Sequence, residues 1–144
     1  MKRITIMSIC ALVIFAMVVP VLSAGPGKNG ANKVPLYNSK DGTPVKPVVG
    51  SVVFNVNANG VVIAEMHIDD GKEGTYLVKL NADDGVKPVD ELDKDVVTIN
   101  KAGKGNAHLS GDLGKNTQVR VNVLPVGGSG QKDQIYTTGW VDVK

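Results

Sequence analysis

Cysteine is almost missing from this chain of 144 residues: Cys10 is the only one, and it stands inside an apolar N-terminal run. A disulfide framework is therefore excluded, as are a cysteine nucleophile in the body of the chain and any thiolate metal knot. Cys10 also precedes most of the apolar run, where a lipid-bearing cysteine would have to follow it. Histidine is scarce as well, with His67 and His108 the only two, and aromatic residues make up 4%. An excess of charge is lacking too. Setting Lys2 and Arg3 aside leaves 14 of the 16 basic residues against 14 acidic ones. A neutral body offers no field for phosphates, which argues against nucleic acid as a partner. No stretch beyond residue 33 keeps helical spacing for more than a turn or two, so an α-helical fold is excluded.

What is present begins with Met1-Lys2-Arg3, a short basic start, followed by Ile4 to Leu22, apolar apart from Thr5 and Ser8, and then by Ser23-Ala24-Gly25. This order predicts a secretory signal peptide over 1–24, cleaved after Ala24 or after Ser23, with Pro20 breaking the apolar helix ahead of the cut. The alternative is retention as a membrane anchor, because the run is about long enough to cross a bilayer. Either way the protein is expected outside the cytoplasm: secreted, periplasmic or at the cell surface. Gly25 to Lys33, GPGKNGANK, is predicted to be a flexible linker.

From Val34 the pattern becomes short runs rich in valine, isoleucine, threonine and tyrosine, each ended by glycine, asparagine, aspartate or proline. Strands are predicted over 34–37, 48–56, 61–68, 75–80, 96–100, 107–109, 118–124 and 135–143. Such a chain is all-β, and the spacing favours an antiparallel immunoglobulin-like β-sandwich of seven or eight strands over 34–144. Asp41-Gly42 marks an edge hairpin, with Pro44 and Pro47 where no ladder donor is needed. In 118–124, Val119, Val121 and Val123 alternate with Arg120 and Asn122, which predicts a wet outer face there.

The stretch FNVNANGVVIAE, Phe54 to Glu65, resembles a calcium loop in outline. The twelfth position from Asn55 is Met66 rather than a bidentate glutamate, the three asparagines are neutral, and flanking helices are missing. A hairpin explains more residues. A three-residue loop, Ala58-Asn59-Gly60, pairs Phe54 with Ala64 and Val56 with Val62. It places Val52, Phe54, Val56, Val62, Ala64, Met66 and Ile68 on one apolar face and requires a left-handed Gly60.

Two metal sites are expected as alternatives to no metal at all. One is an acidic loop containing Asp83, Asp84, Asp90, Asp93 and Asp95, whose oxygens suit calcium, although Lys87 and Lys94 interrupt the acids. The other is Glu65, His67 and His108, all pointing outward, which converge on copper or zinc if their strands are neighbours. Catalysis has little to build on: Ser39, Ser51, Ser110 and Ser129 lie in no nucleophile motif, and no spacing singles out a carboxylate pair. The glycine-rich pieces KAGKGN and GGSGQ lack a Gly-Lys-Ser/Thr ending and are explained as turns. Tyr136 and Trp140 share a strand face with Thr138, as in a sugar-binding sandwich, but Trp140 is expected to anchor the core.

Taken together, GSVVFNVNANGVVIAEMHI, EGTYLVKLN, VVTINKAGKGNAHLSGDL, VRVNVLP and DQIYTTGWVDV resemble a loose group of secreted prokaryotic β-sandwich modules of unknown function over about residues 48–143, with a Thr-x-Asn-x-x-Gly-x-Gly turn at Thr98 to Gly105. Chordin-type CHRD domains are similar in their early strands. They carry a histidine-rich strand where this chain has Tyr76 to Leu80, so no metal role follows from that similarity. The expectation is a non-enzymatic extracellular surface, matrix or interaction module without a cofactor, whose partner is an extracellular protein or a surface polymer. A metal-binding module is the second reading, and a small hydrolase or enzyme inhibitor the third.

Overall fold

The computed structural model describes residues 31–86 and 88–143. The expected signal peptide and residues 25–30 of the expected linker lie outside them. Nine strands follow in order among the described residues: β1 (Ala31–Lys40), β2 (Thr43–Val56), β3 (Val61–Ile68), β4 (Gly74–Asp83), β5 (Asp90–Ile99), β6 (Gly105–Asp112), β7 (Gln118–Pro125), β8 (Tyr136–Thr137) and β9 (Val141–Asp142). A single 3-10 turn, Gln131–Asp133, interrupts the connection from β7 to β8. Strand β1 begins at Ala31, inside the segment expected as linker.

Every ladder is antiparallel. The strand order is β5-β4-β7-β8-β1-β2-β3-β6, with β9 beside β7. Consecutive hairpins thus build β1-β2-β3 and β4-β5, while β6 crosses to β3 and β7 crosses to β4. These are two Greek keys sharing β4 to β6. The two ends of this path, β5 and β6, come together at the turn that joins them, so the sheet curls into a nearly barrel-shaped body.

That closure is made by side chains. No ladder joins β5 to β6 among the described residues, but the Ser110 N–H donates to Asp93 Oδ2 at 2.9 Å. Glycine permits the close approach: a Cβ on Gly111 would lie 2.6 Å from Leu92 Cβ, and one on Gly105 would lie 3.1 Å from the Thr98 carbonyl oxygen.

The β2–β3 hairpin has the expected register, with Phe54 opposite Ala64 and Val56 opposite Val62. Gly60 is left-handed at φ 79°. The asparagines of the apparent calcium loop serve the turn: Asn57 Oδ1 accepts the N–H groups of Asn59 at 2.9 Å and Val61 at 3.1 Å. The same device recurs between β5 and β6, where Asn100 Oδ1 accepts from Ala102 at 2.9 Å and Lys104 at 3.1 Å. Gly103 has φ 76° there. The β1–β2 hairpin turns through Asp41 at φ 53° and Gly42 at φ 81°, the mirror-image two-residue turn that Asp-Gly favours.

The interior is filled from alternate positions of the long strands, including Val52, Phe54, Val62, Ala64, Met66, Val78, Leu80, Val97, Ile99, Leu109, Val119, Val121 and Val123, all buried. Each such aliphatic side chain contributes roughly 1.5–3 kcal/mol on leaving water. The barrel is therefore a packed core rather than a container.

Three expectations are corrected. The acids at Asp90, Asp93 and Asp95 do not belong to a loop: β5 runs through them, and a bulge at Leu92 separates Glu91, opposite Asn81, from Asp93, opposite Leu80. The outer face of β7 is not wet. Arg120 is 7% and Asn122 2% exposed, because the connection to β8 folds back over them and brings Gln134 onto Asn122. The expected last strand over 135–143 is two short pieces separated by Gly139, at φ 71°.

Candidate functional site

Glu65 and His67 on β3 do face the neighbouring strand β6, where His108 lies directly opposite Glu65 and Asn106 opposite His67. They border a shallow groove of about 460 Å³ shared with Asp95. The His67 ring is engaged within the sheet, its Nδ1 2.7 Å from Asn106 Oδ1. Each acid of the other expected site has an oxygen engaged by the backbone or by a neighbouring amide. Asp83 Oδ1 accepts the Gly85 N–H at 2.8 Å, Asp84 Oδ1 accepts that of Val86 at 2.9 Å, and Asp95 Oδ1 accepts that of Val96 at 2.7 Å. Asp90 Oδ2 accepts from Asn116 Nδ2 at 3.2 Å, and Asp93 closes the β5–β6 seam. Among the described residues no three histidine, cysteine, aspartate or glutamate side chains are grouped so as to hold a metal ion.

A different place gathers the unusual side chains. The described residues include five aromatic ones, and three are core residues: Phe54 at 1%, Tyr76 at 8% and Tyr136 at 5% exposure. Tyr136 faces inward and its hydroxyl oxygen accepts the Lys72 N–H at 2.7 Å. It does not share a face with Trp140. The other two, Tyr37 and Trp140, are half-buried and line one groove of about 360 Å³ together with Asn32, Val34, Pro35, Thr138, Val141 and Asp142. Trp140 thus stands outside the core it was expected to anchor.

The groove exists because the sheet has a second seam. Strand β8 joins β1 only at Tyr37 and Asn38, and β9 pairs with β7 only through Val141 and Asp142. Among the described residues no ladder joins β1 to β9, so the edge of β1 from Asn32 to Pro35 faces β9 across an opening. The Ser39 N–H donates to the Ile135 carbonyl at 2.8 Å. By alternation, the backbone groups of Tyr37, Pro35 and Lys33 turn toward the same side. Pro35 has no N–H to offer there, which blocks an added strand.

Trp140 is held in place from beneath. The Arg120 guanidinium lies 4.3 Å from the centroid of its ring. Arg120 Nε donates to the Asn122 amide oxygen at 3.1 Å, and that oxygen also accepts from Asn81 Nδ2 at 3.0 Å. The Asn122 nitrogen donates to Thr137 Oγ1 at 2.8 Å and Gln134 Oε1 at 3.1 Å. Thr137 Oγ1 in turn accepts the Gly139 N–H at 3.1 Å. Burial lowers the Arg120 pKa from its ordinary value and the nearby Asp83 opposes that shift, leaving a guanidinium that stays charged. Left-handed Gly139 turns the chain beside Pro44, and a Cβ there would lie 2.9 Å from Pro44 Cγ. The indole is therefore fixed by a buried polar network and by backbone geometry, as a recognition platform requires.

Around this platform stand Asn32, with an amide that both donates and accepts, and Asp142. Asp142 Oδ1 accepts from Gln118 Nε2 at 2.8 Å. The Thr138 hydroxyl accepts the Val121 N–H at 3.1 Å and donates to the Gly139 carbonyl at 2.8 Å, so it stiffens the groove wall. Among the described residues no lysine or arginine lines the groove. Tyr37 escaped sequence reasoning because 103 positions separate it from Trp140 (140 less 37), and only the strand order brings them together. Comparison of the chain with protein-family models, with curated proteins and with solved structures finds no match.

Proposed function

We propose that this protein is an exported, non-enzymatic β-module that works by binding at a cell surface or in an extracellular matrix, and that the Tyr37–Trp140 groove is its binding site. The observation that carries the reading is the sorting of the aromatics: three serve the core, and the two left half-exposed share one groove, on a tryptophan fixed by Arg120. A packed interior leaves the surface as the place for a ligand. The sandwich reading is supported by the all-antiparallel ladders and by the split of the long strands into two runs of neighbours, β1-β2-β3-β6 and β5-β4-β7. Their order departs from the 1-2-5-4 sheet of an immunoglobulin domain, so we infer a likeness of dimensions and layering rather than of connectivity.

Sedimentation of the purified protein with cell envelopes of the organism that makes it tests this proposal. The wild-type protein should co-sediment, and a Tyr37→Ala/Trp140→Ala double variant that retains its fold should stay in solution. Equal sedimentation of both, or none by the wild type, would sink the reading.

A further inference from the structure

We propose that the groove between β1 and β9 binds a neutral saccharide, a sugar ring stacking on Trp140 with Tyr37 beside it. This inference rests on the binding function proposed above and names its ligand class.

The lining chemistry selects among the ligands that an aromatic groove can take. A proline-rich peptide presents carbonyl acceptors and few N–H donors, so it needs donors from the protein. Here the Asp142 carboxylate, which can only accept, stands in the wall, with Oδ1 already taken by Gln118. Its second oxygen is an acceptor, which suits a ligand that donates. Asn32 offers both a donor and an acceptor, and the indole N–H of Trp140 is a further donor type. Vicinal sugar hydroxyls donate and accept at neighbouring positions, and the apolar C–H face of a pyranose ring matches an aromatic plane. Strand addition, the other way of filling an opening between two strand edges, is blocked by Pro35. Charge decides the last point. Among the described lining residues there is no lysine or arginine while Asp142 is present, and the Arg120 cation lies beneath the indole with its Nε committed to Asn122, so an acidic polysaccharide would meet the Asp142 charge without a cation in the lining to offset it.

Trp140 is the chain's single tryptophan, so fluorescence excited selectively at the indole reports this groove alone. The purified protein is titrated with hexasaccharides of glucose in α- and β-linkage, of mannose and of N-acetylglucosamine, and separately with oligogalacturonate and decaproline. A saturable change is expected with at least one neutral hexasaccharide, nearly independent of salt, and weakened about tenfold by Tyr37→Ala and by Asp142→Asn. Calorimetry on Trp140→Ala, with its fold verified by circular dichroism, should show no binding. A response to decaproline or to oligogalacturonate alone overturns the neutral saccharide and leaves the groove as the binding site. Failure of every probe while envelope binding still depends on Tyr37 and Trp140 overturns the saccharide class alone. If envelope binding is also indifferent to those two residues, both proposals fall.

Discussion

The Arg120 guanidinium carbon sits 4.3 Å from the centroid of the Trp140 ring, while Arg120 Nε donates to Asn122 at 3.1 Å. One cation thus joins a buried polar network to a half-exposed indole. Arg120→Ala removes a charge-assisted hydrogen bond and a cation–π contact together, and should lower stability by about 2–4 kcal/mol. Urea unfolding gives the loss, and the emission of Trp140 in the folded state should shift at the same time. A variant with unchanged stability and unchanged emission would show that the network does not hold the ring.

The twin asparagine turns differ in what surrounds their glycines. A Cβ on Gly60 meets nothing within 4 Å, whereas one on Gly103 would lie 3.1 Å from the Gly71 carbonyl oxygen. Both residues are left-handed, so each alanine substitution carries a backbone strain of about 1–2 kcal/mol. Gly103→Ala adds backbone crowding and should destabilise by about 1 kcal/mol more than Gly60→Ala. The pair of urea midpoints measures the difference, and equal midpoints would refute it.

Asp93 supplies an acceptor where β5 and β6 have no ladder. Asp93→Ala leaves the Ser110 N–H without that carboxylate and should cost about 1–2 kcal/mol, with faster hydrogen exchange at Ser110. Asp93→Asn keeps an acceptor oxygen and should restore most of the protection. Exchange at Ser110 that is equal in all three proteins would show the contact to be irrelevant to closure.

Acid should weaken the fold through Glu91. Its pKa lies below the ordinary 4.5, first because Lys79 donates to the carboxylate and further because of the charges of Lys79 and Lys94, with burial opposing. The Lys79 contact is 2.7 Å long. A folded value below the unfolded one means that this stabilisation is complete above about pH 4.5 and is lost as pH falls through the folded value. The side chain is 38% exposed, so the effect is modest, under about 1 kcal/mol. Glu91→Gln should flatten the acid limb of stability against pH and leave the neutral region nearly level, as melting temperatures from pH 7 to pH 3 would reveal. An acid limb as steep as that of the wild type would remove Glu91 from the account.

How much was legible in the sequence followed from the range over which each signal acts. The bounds of β3 and the register of its hairpin were readable because Asn59-Gly60 and the alternation around it are local, and one face of that hairpin is buried throughout. Strand β5 was only half visible: Asp93 and Asp95 share the parity of buried Val97 and Ile99, but they lie at the seam, where that parity opens to solvent. Arg120 and Asn122 looked wet because alternation cannot foresee a cover donated by a later segment. Of the expected metal residues, Glu65, His67 and His108 do meet on one face, since β3 and β6 are neighbours, while their polar groups remain distributed along it. Tyr37, Asn32 and Asp142 carried no local mark, because their significance arises only where the sheet fails to close.

A molecule whose sheet is left open between β1 and β9 has a strand edge available to a second copy of itself, and the guards along the sheet edges decide how closely copies can crowd. Pro35 withholds an N–H on β1, and the carboxylates of Asp93 and Asp95 sit along β5, where an incoming strand of the same sequence would bring like charge. Packed at the density of a coat or matrix, such molecules would remain separate units rather than joining edge to edge into fibrils. The sheet can then leave a cleft open for a ligand without opening a path to polymerisation.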